Sequence, residues 1–237
     1  MKIITWNCNM AFRKKAAYIL AEDPDILIVP ECENLDRLTF GKNSKQPTSS
    51  VWYGNNPHKG IGVFSFGDYK IKLLENHNPA FKYILPLTIF DDKTDFTVFA
   101  IWAQKPEKHD GYVEQIWNAV HYYDKLLDVE NVILAGDFNS NSFWDKPNRI
   151  YNHTNLVEFL KSKNIFSTYH HFLHQSQGKE KDNTLFMHRK LDRPYHIDFC
   201  FTSSNLIDKL KNVEIGEYEK WRLHSDHTPI IVTIDKI

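Results

Sequence analysis

The chain is poor in cysteine, has no surplus of charge of either sign and contains no long apolar run. Its three cysteines, Cys8, Cys32 and Cys200, are odd in number and lack CxxC spacing. Each lies in or beside an apolar stretch, so free buried thiols are expected rather than a disulfide framework or a zinc site. Lys and Arg total 29 against 30 Asp and Glu, a formal net charge of -1. Bulk attraction to duplex nucleic acid calls for a basic surplus, so a phosphate-rich partner has to be held locally, by a metal or a patch of cations. No stretch approaches the ~20 apolar residues of a membrane-spanning helix. The opening MKIITWNCN turns polar too early for a signal-peptide apolar region. A soluble, reducing, cytoplasmic setting without a membrane partner is expected. There is also no repeat of fixed period, no low-complexity tract and no linker, which argues for one domain over residues 1–237.

What is present is a series of short strand-like segments. Lys2–Trp6, Asp25–Pro30, Gly60–Phe66, Tyr69–Leu74, Phe81–Phe90, Asp95–Ala103, Asn131–Gly136, Tyr195–Phe201 and Pro229–Ile234 are apolar runs bounded by turn residues. The four runs from Gly60 to Ala103 suggest a meander forming much of one sheet. Helical spacing is clearest over Tyr112–Leu127, where Val113, Ile116, Trp117, Val120 and Leu127 recur at three and four. Phe12–Glu22 and His153–Lys163 have helical composition, and Ser204 is placed to cap a small helix through Leu210. Leu35–Pro57 and Tyr169–Leu191 read as irregular. Strand runs interleaved with a few helices point to two packed sheets with helices outside.

The chemistry concentrates where apolar runs end. NVILAGDFNSN carries Asp137 and Asn139 at the close of a run buried on both faces, and residues two apart there project to the same side. Asn7 closes TWN, Glu31 follows DILIVP, Asp198 interrupts YHIDFCF, and Asp226 and His227 stand in SDHTP just before the last run. Four carboxylates beside core strands call for pairing or a metal, because buried charge is costly alone. Glu31 and Asp226 are hard oxygen donors suited to Mg²⁺ or Mn²⁺.

This set, in this order from Asn7 to His227, resembles the endonuclease/exonuclease/phosphatase superfamily, which includes exonuclease III, DNase I, neutral sphingomyelinases and inositol-polyphosphate 5-phosphatases. The resemblance implies an α/β (α+β) four-layer sandwich, two packed and mostly antiparallel or mixed sheets flanked by helices, with the site at one end. It implies that Glu31 binds a divalent metal, Mg²⁺ or Mn²⁺, with Asn7 and Asp226 holding the metal shell. Asp137 would orient or deprotonate water, Asn139 would meet the scissile phosphate, and His227, paired with Asp198, would contact a phosphate oxygen or transfer a proton. The strand DFTVFAIWA departs from the pattern. Relatives often carry Tyr or His near its end, whereas here stand Trp102, Ala103 and Gln104. Trp cannot shuttle a proton, so His109 or His170 supplies that role or the leaving group needs little help.

Further residues carry two readings each. His170, with His171 and His174, is either a polar rim or a substrate contact. Arg13, Lys14, Lys15, Lys179, Lys181, His188, Arg189, Lys190 and Arg193 are a solvated face or contacts to a phosphate backbone. Trp144 and Trp221 either stack on a base or sugar or cover the edge of the core. The expected activity is metal-dependent phosphodiester hydrolysis by a monomer acting on nucleic acid, with DNA preferred. The near-neutral charge keeps open a small-molecule or lipid-headgroup phosphodiesterase or phosphatase, and a non-catalytic binding module is the remaining alternative.

Overall fold

Short apolar runs become the strands of two six-stranded sheets in the computed structural model, which describes residues 1–41, 44–105 and 111–235. In chain order they are β1 (Lys2–Thr5), β2 (Ile26–Cys32), β3 (Ser49–Asn56), β4 (Lys59–Ser65), β5 (Lys70–Leu73), β6 (Ile84–Phe90), β7 (Asp95–Trp102) and β8 (Val132–Asp137). They continue with β9 (Ile165–Ser167), β10 (Leu185–Phe186), β11 (Pro194–Tyr195), β12 (Asp198–Ser203), β13 (Leu210–Ile215) and β14 (Ile230–Ile234). The helices are α1 (Ala16–Leu20), α2 (Tyr112–Tyr122), α3 (His153–Ser162), α4 (Thr168–Phe172), α5 (Ser204–Ile207) and α6 (Tyr218–Trp221). The first sheet runs β13-β14-β1-β2-β4-β3 and the second β5-β6-β7-β8-β12-β9, with β10 and β11 forming a separate ribbon.

Alternation within the central strands explains the layers. In β2, Ile26 and Ile28 enter the core between the sheets, while Leu27 and Val29 join Ile19, Leu20 and Trp221 beneath α1 and α6. In β8, Ile133 and Ala135 face the inter-sheet core, and Val132 and Leu134 face Ile116, Val120, Leu156 and Leu160 of α2 and α3. Both faces of these strands are therefore apolar, which is why they read as continuous runs rather than alternating ones. Each aliphatic side chain so buried contributes about 1.5–3 kcal/mol, and the two outer layers of helix complete a four-layer sandwich.

Several local expectations are corrected. Phe12–Glu22 is a short 3₁₀ turn followed by α1, because Asn9, Met10 and Ala11 are successive left-handed residues (φ 50°, 64° and 52°) that delay the helix. The stretch Leu35–Pro57 ends in an edge strand, β3, whose residues are half-buried or exposed. The supposed meander is divided: β4 pairs with β2 and β3 in the first sheet, while β5, β6 and β7 belong to the second. Gly67, at φ 107°, lies between the two sheets' strands. Asp198 is the first residue of β12 rather than its middle, and β13 is an edge strand with no apolar run to announce it.

Strand direction then decides where the polar ends meet. β1 and β2 are parallel and β14 is antiparallel to β1, so the ends of β1 and β2 lie beside the start of β14. In the second sheet β7 and β8 are parallel and β12 is antiparallel to β8, with Asp198 opposite Asp137. A hydrogen bond from Asn7 to Asp137 ties the two sheets together at this end.

Candidate active site

Asp137 is positioned by a backbone that only glycine permits. Gly136 has φ 145°, and a Cβ on it would lie 1.8 Å from the Ile101 carbonyl oxygen of β7. The close approach of β7 and β8 brings the Asp137 carboxylate, 1 % exposed, into a nest of donors. Asn7 Nδ2 donates to it at 2.9 Å, the Asn139 backbone N–H at 2.9 Å and Asn139 Nδ2 at 3.0 Å. Asn139 is itself left-handed (φ 48°), which turns its side chain back toward Asp137. Its amide also donates to the Ala103 carbonyl at 3.2 Å. Both hydrogens are thus engaged, and a phosphate contact from this amide requires one of them to be exchanged.

Opposite stands a buried ion pair. His227 Nδ1 lies 2.8 Å from Asp198 Oδ2, both side chains being almost wholly buried. Ser225 Oγ accepts the His227 backbone N–H and donates to the Asn7 carbonyl, and Trp6 Nε1 donates to the His227 carbonyl, so the loop before β14 is fastened to β1. Burial opposes charge on the imidazole, yet Asp198, helped by Asp137 and Asp226, raises His227 to about 10. Burial and the neighbouring Asp198 charge push Asp137 up to about 7, against the pull of His227 and its own hydrogen bonds.

Asp226 adjoins His227, and Glu31 stands near the end of β2. Glu31 sits in the left-handed region (φ 63°) at a bulge where the β2–β4 pairing slips between Pro30 and Cys32. A non-glycine residue there costs of order 1–3 kcal/mol, and the bulge re-aims the carboxylate out of the strand's alternation. It pairs with Lys59 Nζ at 3.2 Å. Asn9 Nδ2 donates to Asp226 at 2.7 Å, and the Asn9 N–H donates to Asn7 Oδ1 at 3.0 Å. Burial lowers the Lys15 ammonium, whose Nζ donates to the Cys8 and Asn9 carbonyls at 2.6 and 3.1 Å.

The donor set fits a hard divalent cation. Asp137 and Asp198 offer ligand oxygens within 4.8 Å of one another, beside the His227 ring, which is protonated against Asp198 and stands as a donor rather than a ligand. Asp198 Oδ1 is buried and has no hydrogen-bond partner, a costly vacancy at an atom suited to a cation. Glu31 and Asp226 are oxygen donors of the kind Mg²⁺ and Mn²⁺ prefer, but among the described residues neither belongs to such a close group.

The candidate substrate contacts divide. Trp144 is 42 % exposed, 5.0 Å from the Tyr195 ring, and lines a pocket of about 340 Å³ together with Asn139, Arg149, Tyr151, Leu185 and Ile197. Arg193 is exposed on the turn between β10 and β11, whose Leu185 bridges to His227. Trp221 is corrected: it is 1 % exposed and packs against Trp6 at 5.0 Å, so it is core and cannot stack on a base. His170 is corrected as well. Its ring is held by Ser167 Oγ at 2.7 Å and by Glu180 at 2.9 Å, beside Phe199 on the helix-covered side of the second sheet. That network supports the fold and leaves no substrate contact to His170. His109 lies outside the described residues. Two site residues were not singled out in the sequence, Asn9 and Lys59. Asn9, two beyond Asn7, carries a local signal, whereas Lys59 reaches Glu31 only through the pairing of β4 with β2.

The sequence model of the Endonuclease/Exonuclease/phosphatase family matches residues 4–209 of the chain. No curated protein sequence matches it. Solved structures with the same fold include an AP endonuclease from Archaeoglobus fulgidus, 17 % identical with a TM-score of 0.71 and all of both chains covered. A 3' phosphatase from Neisseria bound to a product DNA hairpin is 18 % identical, TM-score 0.68, again with both chains fully covered. An AP endonuclease from Leishmania major is 14 % identical, TM-score 0.70, covering 100 % of this chain and 88 % of that one.

Proposed function

Because this chain belongs to the Endonuclease/Exonuclease/phosphatase family and so is an enzyme that hydrolyses phosphoester bonds, we propose that it is a divalent-metal-dependent nuclease, with DNA the preferred substrate. One observation carries the reading: Asp137, Asn139 and the Asp198–His227 pair converge with Asn7 at one end of the sandwich. Glu31, Asp226 and Asn7 would hold Mg²⁺ or Mn²⁺. A bound divalent ion supplies Lewis-acid polarisation of a phosphoryl oxygen and lowers the pKa of nearby water.

The protein's own groups account for the rest. Asp137, fixed by Asn7 and Asn139, orients the attacking water and accepts its proton. His227 is kept protonated by Asp198, and its Nε2–H is the donor for a phosphoryl oxygen on which charge grows. Asn139 exchanges one of its hydrogen bonds for another such oxygen. The exposed cations Arg189, Lys190 and Arg193 lie on the turn between β10 and β11, whose Leu185 bridges to His227, and supply local attraction for a polyanion that the net charge of -1 does not. Trp144 offers a face for stacking beside the 340 Å³ pocket. Two of the structurally similar proteins are AP endonucleases and the third carries a DNA hairpin, which favours nucleic acid.

The absence of a basic surplus favours a second reading, a small-molecule or lipid-headgroup phosphoesterase. A panel of labelled oligonucleotides and supercoiled plasmid, run beside soluble phosphoinositides and sphingomyelin in Mg²⁺, Mn²⁺ or EDTA, separates the two. Nicking or cleavage that EDTA abolishes is expected. Turnover confined to the small or lipid substrates would replace the nuclease assignment.

A further inference from the structure

Lys59 stands at the seam of the two sheets and has no counterpart among the residues assigned so far. It is the first residue of β4, in the first sheet, and its Nζ lies 4.9 Å from the ring centroid of Trp102, at the end of β7 in the second. Trp102 pairs in register with Asp137, so the ammonium is held above the neighbour of the attacking side's carboxylate. On its other flank Nζ is 3.2 Å from Glu31. Tyr83 packs on Trp102 at 4.7 Å and fixes the ring as a platform. The end of β7 therefore presents an indole that cannot shuttle a proton, and a cation resting on it.

Other cations near these carboxylates are committed elsewhere. Arg13 is paired with the buried Glu33, and Lys15 Nζ donates to the Cys8 and Asn9 carbonyls, which secures the left-handed turn after β1. Lys59 differs in that its partner, Glu31, is a candidate metal ligand. Its side chain remains 36 % exposed and so is open to a ligand from solvent. When Glu31 gives its charge to a cation, the ammonium loses its counter-ion while the indole still fixes its position. A compact, mobile ammonium with three donors then suits a phosphoryl oxygen.

We infer that Lys59 is a catalytic residue that contacts the substrate phosphate, supplying on the β4 side the charge that Trp102 at the end of β7 cannot. The inference rests on the phosphoesterase reading of this site but not on the substrate being nucleic acid. The competing structural role is a pin that merely holds Glu31, which would act on metal affinity alone.

The test uses inorganic phosphate as probe, titrated calorimetrically into the full chain at saturating Mg²⁺, for wild type, Lys59→Met and Lys59→Arg. Mg²⁺ affinity is measured separately for each protein. Loss of one charge-assisted hydrogen bond should weaken phosphate about tenfold in Lys59→Met, with Lys59→Arg restoring most of it and Mg²⁺ affinity not reduced. In cleavage assays the same variant should raise KM and lower kcat together. Equal phosphate affinity in wild type and Lys59→Met at saturating Mg²⁺ overturns the inference, as does weakened Mg²⁺ affinity as the only effect of Lys59→Met, or no phosphate binding by any of the three. A wild type that binds phosphate but cleaves no oligonucleotide would instead fail the nuclease reading and leave the role of Lys59 intact.

Discussion

Acid should loosen the loop that follows Asp137 before it unfolds much else, and His153 sets the size of the effect. The ring is 1 % exposed, with Nδ1 2.9 Å from Ser140 Oγ and Nε2 3.2 Å from Gln177 Oε1, and it packs on Phe199 at 4.8 Å. Burial holds its pKa down at about 4, outweighing the favourable charges of Asp145 and Glu180. In the unfolded chain an imidazole takes up its proton near pH 6.5. The folded state therefore has its full stability above pH 6.5 and loses it as the pH falls toward 4. At pH 5 the unfolded state has gained about 2 kcal/mol on the folded one from this group alone. Burial also lowers His196, which acts in the same direction. Urea denaturation of wild type and His153→Asn at pH 8 and pH 5 isolates the contribution. The variant should be less stable at pH 8, yet its drop between the two pH values should be about 2 kcal/mol smaller. An identical pH dependence in both proteins would refute the reasoning. Because Ser140 directly follows Asn139, early loss of activity should accompany the drop.

Other substitutions probe the scaffold and the chemistry separately. Gly136→Ala places a methyl group 1.8 Å from the Ile101 carbonyl, so destabilisation of about 3 kcal/mol or more, read from the urea midpoint, is expected. Glu31→Gln, Asp137→Asn and His227→Ala should each lower kcat by about 10²-fold or more with the far-UV dichroism unchanged; near-normal rates in all three would remove the site. Trp221→Ala should cost about 3–5 kcal/mol of stability through the cavity it leaves against Trp6. Trp144→Ala should leave stability within about 0.5 kcal/mol and weaken oligonucleotide binding by about 1–3 kcal/mol, measured by fluorescence anisotropy.

The sequence disclosed those parts of the molecule whose two faces are both buried. β2, β8 and β14 carry apolar residues at most positions because helices cover one face and the other sheet the second. β3 and β13 escaped notice for the opposite reason. Ser49–Asn56 and Leu210–Ile215 are edge strands, mostly half-buried or exposed, so polar residues interrupt them and no apolar run marks them. Site residues followed the same rule. Asn7, Asp137 and Asn139 end apolar runs, so their convergence could be anticipated from strand direction. Lys59 stands in a hairpin whose contact with Glu31 comes from β2–β4 pairing, and no local pattern records it. Trp221 could not be told from a stacking residue, because only the packing of α6 on Trp6 buries it. His170 belongs to the same class, since its partner Glu180 lies ten residues on in an irregular stretch.

Convergence of carboxylates from both sheets on a divalent cation is tested most directly by crystals soaked in Mn²⁺ and measured at the manganese absorption edge. An anomalous peak is expected at coordinating distance from Glu31 and Asp226, close to Asn7, and lost in Glu31→Gln crystals. Fully ordered Glu31 and Asp226 side chains with no anomalous density between them or beside Asp137 and Asp198 would contradict the account.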